Sequence, residues 1–349
     1  MAYCFRNLIF EGGGVKGIGY VGAMQILQEK GIMDSITRAG GASAGAIVAT
    51  LVGLNYSHNE ISDILNGLDF RNFLDDSWGL VNDINRLIVN YGWYKGDFFL
   101  NWIETLIQQK TGITRTTFAD VKNLQDRFGF KDIYIIGTNL STRFSEVFSY
   151  EKTPQMCLAD AVRISMSIPL FFTAPQNSQG EYYTDGGVLD NYPIRLFDRQ
   201  SYVDNDYIIP NYYKMCNLRM DGNGPENNRY VYNKQTLGFR LDSQSEIGVF
   251  KDKADPPRCK INNFFDFTWG LVETVLECQS NEHLNSYDWP RTIYIDTLGV
   301  RTLDFGIDNE KRHALIQSGR ECTEKYFVWY DDAENLPINH PASKKSAIT

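Results

Sequence analysis

Ser43 lies in Gly41-Ala42-Ser43-Ala44-Gly45, a G-x-S-x-G whose small neighbours let the backbone turn sharply and expose a serine hydroxyl between a strand and a helix. Such a serine becomes a nucleophile when a nearby base takes its proton. Asp185-Gly186-Gly187 offers a carboxylate at a turn, where an acid can reach a neighbouring site. Gly12-Gly13-Gly14-Val15-Lys16-Gly17 offers the remaining requirement of acyl transfer. Its successive glycine N–H groups can converge on an oxyanion, helped by the positive end of the helix that follows.

Each piece has an ordinary reading as well. Small residues open many packed helices, and Asp-Gly is a common turn dipeptide. The glycine loop also satisfies the dinucleotide pattern G-x-G-x-x-G, and Asp34 lies near the spacing of a ribose-binding acid. Asp34, however, precedes the second expected strand instead of ending it, and that strand runs into Ser43. A Ser-Asp-His triad is the other rival, since Ser43, Asp185 and then His283 or His313 follow the chain order of α/β-hydrolases. Those enzymes place several strands before the serine, whereas one or two precede Ser43 here. Both histidines fall within helical stretches, His58 sits in a polar stretch, and His340 sits in the tail. The three motifs together favour Ser43 as nucleophile with Asp185 as its general base.

The elements that must position these residues alternate between strand and helix. Asn7–Phe10 is an apolar strand, Ile18–Lys30 has helical spacing, and Gly31 ends that helix. Ile36–Gly40 is expected as a second strand, followed by a helix over Ala46–Leu54 that is apolar nearly all round and therefore buried. Further strands are expected at Asp132–Gly137 and Thr292–Ile295. Helices are expected at Asp97–Lys110, with Asp97 as cap, and at Leu158–Ser165, Trp269–His283 and Glu310–Tyr330. The pattern predicts an α/β fold, a three-layer α/β/α sandwich with a mainly parallel central sheet. One domain is expected over residues 1–335, with its core at about 7–200, an irregular excursion at about 201–257, and a disordered tail at 336–349.

Composition excludes several classes. With 349 residues, 43% of them hydrophobic and 22% charged, the chain can bury a large core. A net charge of -9 argues against nucleic-acid binding and against an extended polybasic membrane face. The six scattered cysteines form no C-x-x-C pair and suit reduced thiols. No signal peptide is visible, and the longest nearly apolar run, Ala42–Leu54, is too short to span a bilayer. A cytoplasmic or peripheral-membrane location is expected, with secretion by another signal left open. Two aromatic stretches, Phe70–Trp78 and Tyr91–Tyr94 leading to Phe98-Phe99, can serve as core or as an apolar entrance.

Gly12–Gly17, Gly41–Gly45 and Asp185–Gly187, in that order, resemble the three signature motifs of the patatin-like phospholipases. Gly19–Ala23, Asn139–Thr142, Ser165–Phe172 and Asp190–Pro193 resemble further segments of that family. The resemblance is good over residues 7 to about 200 and looser to about 330. It implies a lipid acyl hydrolase with a Ser43–Asp185 dyad, an oxyanion hole at Gly12, Gly13 and Gly14, and neither a metal nor a cofactor. It implies a phospholipid or lysophospholipid substrate met by transient contact with a membrane surface. Lys16 matches the family's basic loop position, either as a solvated lysine or as a contact to lipid phosphate. The same chemistry would serve an effector or toxin that needs a protein activator. A lipid-binding module without catalysis is the remaining alternative, which intact Ser43 and Asp185 disfavour.

Overall fold

Alternation in the first strand decides the layers. In β1 (Asn7–Phe10), Leu8 and Phe10 enter a large apolar cluster, while Ile9 enters a smaller one on the opposite face with Tyr134, Tyr192, Ile194 and Phe197. The structure, a computed structural model, describes residues 3–74, 87, 89–203, 207–219, 229–244, 246, 258, 260–262, 267, 270–275 and 287–341.

The central sheet also contains β2 (Arg38–Gly41), β4 (Asp132–Asn139), β5 (Phe144–Ser149), β7 (Tyr183–Asp185), β8 (Thr236–Asp242) and β9 (Thr292–Asp296). Its order is β5-β4-β2-β1-β8-β9, with β7 added along β4. The β4–β2–β1–β8–β9 run is parallel, and β5 and β7 pair antiparallel with β4. A separate parallel pair joins β3 (Gly92–Tyr94) to β6 (Leu170–Phe172).

Helices α1 (Gly19–Glu29), α2 (Ala44–Gly53), α3 (His58–Gly67), α4 (Asp97–Thr111), α5 (Leu158–Ser165) and α8 (Asn309–Asp331) contribute to the large cluster. All ten residues of α2 are buried, as its apolar sequence requires. The short α6 (Gly187–Asp190) leads into the segment that covers the other face. There α7 (Asn211–Arg219) is tied down by Tyr213 Oη, which donates to Asp198 at 2.5 Å. The expected sandwich with a mainly parallel sheet is the observed architecture.

Three expectations need correction. The segment at 201–257 is not only an excursion, because β8 lies between β1 and β9 with all seven residues buried. Leu237, Phe239 and Leu241 alternate into the large cluster, while on the opposite phase Arg240 and Asp242 carry charges that compensate one another in the interior through a 2.6 Å ion pair. The tail is ordered at its start: Asn339 and His340 are buried, Tyr330 Oη donates to the Asn339 carbonyl at 3.0 Å, and the His340 ring lies 5.0 Å from that of Tyr330. Asp97 does not cap α4, since Gly96 occupies the cap in a left-handed conformation. Of the helix expected at Trp269–His283, residues 270–275 are described and helical, and His283 lies outside the described residues.

Candidate active site

Ser43, the candidate nucleophile, sits where the backbone is bent to present its side chain. Ser43 follows β2 and precedes α2 with φ 52° and ψ -127°, a conformation that costs a non-glycine residue about 1–3 kcal/mol. The turn closes only because its flanks are glycine. A Cβ on Gly41 would lie 2.5 Å from the Gly45 backbone, and one on Gly45 would run into the Phe10 carbonyl. The Ser43 N–H donates to Ser165 Oγ at 2.9 Å, and its hydroxyl is turned to Met166 Sδ at 3.7 Å.

Sheet register brings the acid to the serine. β2 runs along one edge of β4 and ends with Gly41 opposite Ile135. β7 runs antiparallel along β4 and ends with Asp185 opposite Gly137, only two residues further along. The ends of β2 and β7 therefore face each other across a short gap, one delivering Ser43 and the other Asp185. Asp185 Oδ1 accepts from the Gly187 N–H at 2.7 Å, which is what the glycines after the acid make possible. Its Oδ2 is buried and accepts no hydrogen bond among the described residues. Burial raises the Asp185 carboxyl to about 7, with the nearby Ser43 hydroxyl and the Gly187 N–H pulling in the opposite direction. Ser43 and Asp185 are only 5% and 2% exposed, so the pair is largely screened from water.

The glycine loop abuts this pair. A Cβ on Gly12 would lie 2.8 Å from Ser43 Cβ. Asn191 holds both polar groups of Gly12, its carbonyl accepting from the Gly12 N–H at 3.0 Å and its amide donating to the Gly12 carbonyl at 3.2 Å. Gly12, expected as an oxyanion donor, thus has its N–H committed elsewhere. The Gly13 and Gly14 N–H groups have no acceptor among the described residues and remain as candidates. Gly14 takes φ +56°, and its neighbour Val15 donates to the Thr302 carbonyl at 3.0 Å. Ala44 N–H, at the first turn of α2, is a further candidate.

Beneath the loop is a buried charge cluster that the motifs did not announce. Glu11 Oε2 accepts from the Leu241 N–H at 2.8 Å, and Arg240 lies 3.7 Å from Glu11 Oε1. Burial raises the Glu11 carboxyl and Arg240 pulls it back. Lys16 is half-buried and adds positive potential to Glu11 and Asp242. Among the described residues no three His, Cys, Asp or Glu side chains gather as metal ligands.

A sequence profile of the family described as "Patatin-like phospholipase" matches residues 8–198, more than half of the chain. The chain belongs to that family. It is therefore a hydrolase of lipid carboxylic esters. Two full-length relatives are each 28% identical: R571 of Acanthamoeba polyphaga mimivirus over 325 residues, and YqhO of Bacillus subtilis over 327. The matches cover 93% of this chain and 94% of R571, and 91% of this chain and 97% of YqhO. The fold is similar to the crystal structure of VipD from Legionella pneumophila, with TM-score 0.57 and 18% identity over 94% of this chain and 67% of that one.

Other candidates fall outside the site of this patatin-like phospholipase. His313 is exposed on α8, its Nδ1 paired at 2.7 Å with the Asn309 carbonyl of its own helix. His58 begins α3, and Asp34 lies in a turn before β2. The aromatic stretches divide: Phe70, Phe73 and Phe99 are core, whereas Tyr91 and Phe98 are exposed. Trp78 is outside the described residues. Cys157, Cys216 and Cys322 are free thiols, and no described helix is long and apolar enough to cross a membrane.

Proposed function

We propose that the chain cleaves fatty-acyl esters of phospholipids or lysophospholipids with Ser43 as nucleophile and Asp185 as general base. The observation that carries this reading is the meeting of the β2 and β7 ends on one edge of β4, with a strained serine facing a buried carboxylate. Rotation of the Ser43 hydroxyl from Met166 towards Asp185 Oδ2 gives that oxygen its missing donor. Ser43 Oγ then bonds to the ester carbonyl carbon as its proton passes to Asp185. The developing oxyanion is met by Gly13 and Gly14 N–H groups, each such donor being worth about 3–4 kcal/mol in related chemistry.

The carbonyl–oxygen bond to the alcohol breaks, and the alcohol leaves with the proton from Asp185. Water, deprotonated by the same carboxylate, bonds to the acyl carbon; the bond to Ser43 Oγ breaks, that oxygen takes the proton back from Asp185, and the fatty acid is released. Substrate reaches the site by transient contact with a lipid surface.

The test is acyl release from phosphatidylcholine and lysophosphatidylcholine vesicles with chelator present. Wild type is expected to be active, and Ser43→Ala and Asp185→Asn to lose at least a thousandfold, on the order seen when dyad or triad members are removed. Activity surviving in either variant overturns the dyad. A silent wild type that still labels at Ser43 with a fluorophosphonate transfers the reading to an activator-dependent enzyme.

A further inference from the structure

The turn after α5, Ser165-Met166-Ser167, touches both members of the dyad from one side. Ser165 is fully buried, and its Oγ accepts the Ser43 N–H at 2.9 Å. One residue on, Met166 Sδ meets the Ser43 hydroxyl at 3.7 Å. The next carbonyl, that of Ser167, accepts from the Asp185 N–H at 2.9 Å and from the Thr184 hydroxyl at 2.7 Å. Three consecutive residues thus fix the backbone of the nucleophile and the backbone of the base.

The turn is itself anchored. Arg163, buried on α5, donates to Ser167 Oγ at 2.6 Å and to the Lys95 carbonyl at 2.5 Å. The Ser167 hydroxyl donates in turn to the Arg163 carbonyl at 2.7 Å. Arg163 and Ser167 form a closed unit, whereas Ser165 spends its hydroxyl oxygen on the elbow.

The Ser43 amide needs that acceptor for a geometric reason. It stands past the last residue of β2 paired to β4, and it precedes the first residue of α2, so neither ladder supplies a carbonyl. At φ 52° the peptide is held against its own preference, and a directed bond from a rigid neighbour keeps it there. The same bond withdraws the Ser43 N–H from the oxyanion and leaves that task to the glycine loop.

We infer that Ser165 is the positioning residue of this active site, holding the Ser43 elbow at a fixed distance from Asp185 through the Ser165–Ser167 turn. The inference rests on the dyad reading of the previous section. Without the hydroxyl, the elbow amide is left unpaired and the peptide can swing, carrying Oγ away from Asp185 Oδ2. Loss of alignment lowers the rate of the chemical step and leaves substrate binding alone.

The experiment compares full-length wild type, Ser165→Ala, Ser165→Thr and Ser43→Ala on a soluble nitrophenyl ester and a fluorophosphonate probe. Ser165→Ala is expected to lose about tenfold in kcat and in labelling rate, about 1.4 kcal/mol of barrier, with KM within about twofold. Its pH midpoint should not move, because Asp185 keeps its burial and its Gly187 bond. Ser165→Thr, which retains the acceptor oxygen, is expected to recover most of the rate. Wild-type kcat in Ser165→Ala, or a loss confined to KM, overturns the inference, as does a folded Ser165→Thr that recovers nothing. If Ser165→Ala does not fold, Ser165→Cys fills the space with a weak acceptor and should show a comparable loss, so full activity there also overturns it. Ser43→Ala separates the two levels. If it keeps activity, the dyad itself falls. If it is inert while Ser165→Ala is normal, only the role of Ser165 falls.

Discussion

A carboxylate that is to serve as base near neutrality must be lifted from its ordinary range without being silenced, and burial lifts Asp185, the proposed base, in this way. Its carboxyl is raised to about 7, so kcat/KM on a soluble ester is expected to rise with pH through about 7 and then level off. A flat profile down to pH 5 would exclude Asp185 as the base. Stability runs the other way. In the unfolded chain an aspartate titrates near its ordinary value of about 3.9, so between roughly pH 4 and pH 7 the native state binds more protons than the unfolded state. The contribution of Asp185 is therefore fully present below the unfolded pKa and is lost as pH rises through the folded one. Asp185→Asn removes that penalty while keeping an oxygen for the Gly187 N–H. It should be inactive yet more stable than wild type at about pH 8.5, by up to about 4 kcal/mol, with the difference shrinking towards about pH 4. Urea titrations at the two pH values measure it, and equal stability at both would remove the buried charge from the account.

At the scale of elements, the glycine loop depends on how closely α1 and α8 pack. A Cβ on Gly319 of α8 would strike the Gly19 carbonyl at the start of α1, and one on Gly22 would lie 2.5 Å from the Arg320 N. Gly319→Ala sets two effects against each other. Alanine gains about 1 kcal/mol of helix propensity, and the overlap costs about 1–3 kcal/mol or more, since a backbone oxygen cannot turn aside. The overlap should win, with a net loss of about 2 kcal/mol in urea unfolding; a stabilised Gly319→Ala would mean that the helices are free to part. Motifs that impose backbone geometry were legible in the sequence. Gly41 and Gly45 announce the elbow, Gly186 and Gly187 announce the turn that bonds Asp185, and the apolar run of α2 announces burial. Features built on compensated charge were not legible. On β8, Arg240 and Asp242 occupy the phase opposite Leu237, Phe239 and Leu241 and read as a solvent face, although Glu11 and their mutual pairing keep them inside. Gly12 reads as an oxyanion donor in the sequence because no sequence rule places the Asn191 carbonyl against its N–H. Ser165 stood in a segment noted only for resemblance, and its bond to Ser43 depends on where α5 ends relative to β2.

For the whole molecule, the remaining question is how a nearly closed site meets an aggregated substrate. β4 and β7 continue past the Asp185 pairing to an exposed tip, where Leu140 and Phe144 flank the polar turn Ser141-Thr142-Arg143. Phe144 pairs with Asn139 and is 72% exposed, and the Leu140 N–H donates to the Tyr182 carbonyl at 2.8 Å. The Tyr182 ring meets that of Tyr91 at 5.2 Å, and Leu170 pairs with Gly92 alongside. Tyr91 at φ 61° and Leu170 at φ 65° are both strained and exposed, an expensive arrangement for apolar side chains in water. Tyr182 is three residues from Asp185, roughly 10 Å along a strand, so this rim lies within an acyl chain's reach of the dyad. Inserting Leu140 and Phe144 into a lipid surface is worth about 2–3 kcal/mol together on apolar area, given their partial exposure. The double variant Leu140→Ser, Phe144→Ser is therefore expected to lose roughly thirtyfold or more in binding to phosphatidylcholine vesicles, about 2 kcal/mol. Its activity on those vesicles should fall in parallel, while hydrolysis of a soluble monomeric ester stays within about twofold because neither residue touches Ser43 or Asp185. With a net charge of -9, the protein should gain nothing from added anionic lipid, which distinguishes an apolar contact from an electrostatic one. Unchanged vesicle binding in the variant would move the lipid-facing surface elsewhere on the molecule; equal losses on vesicles and on the soluble ester would show that the hairpin supports the dyad and not the approach to lipid.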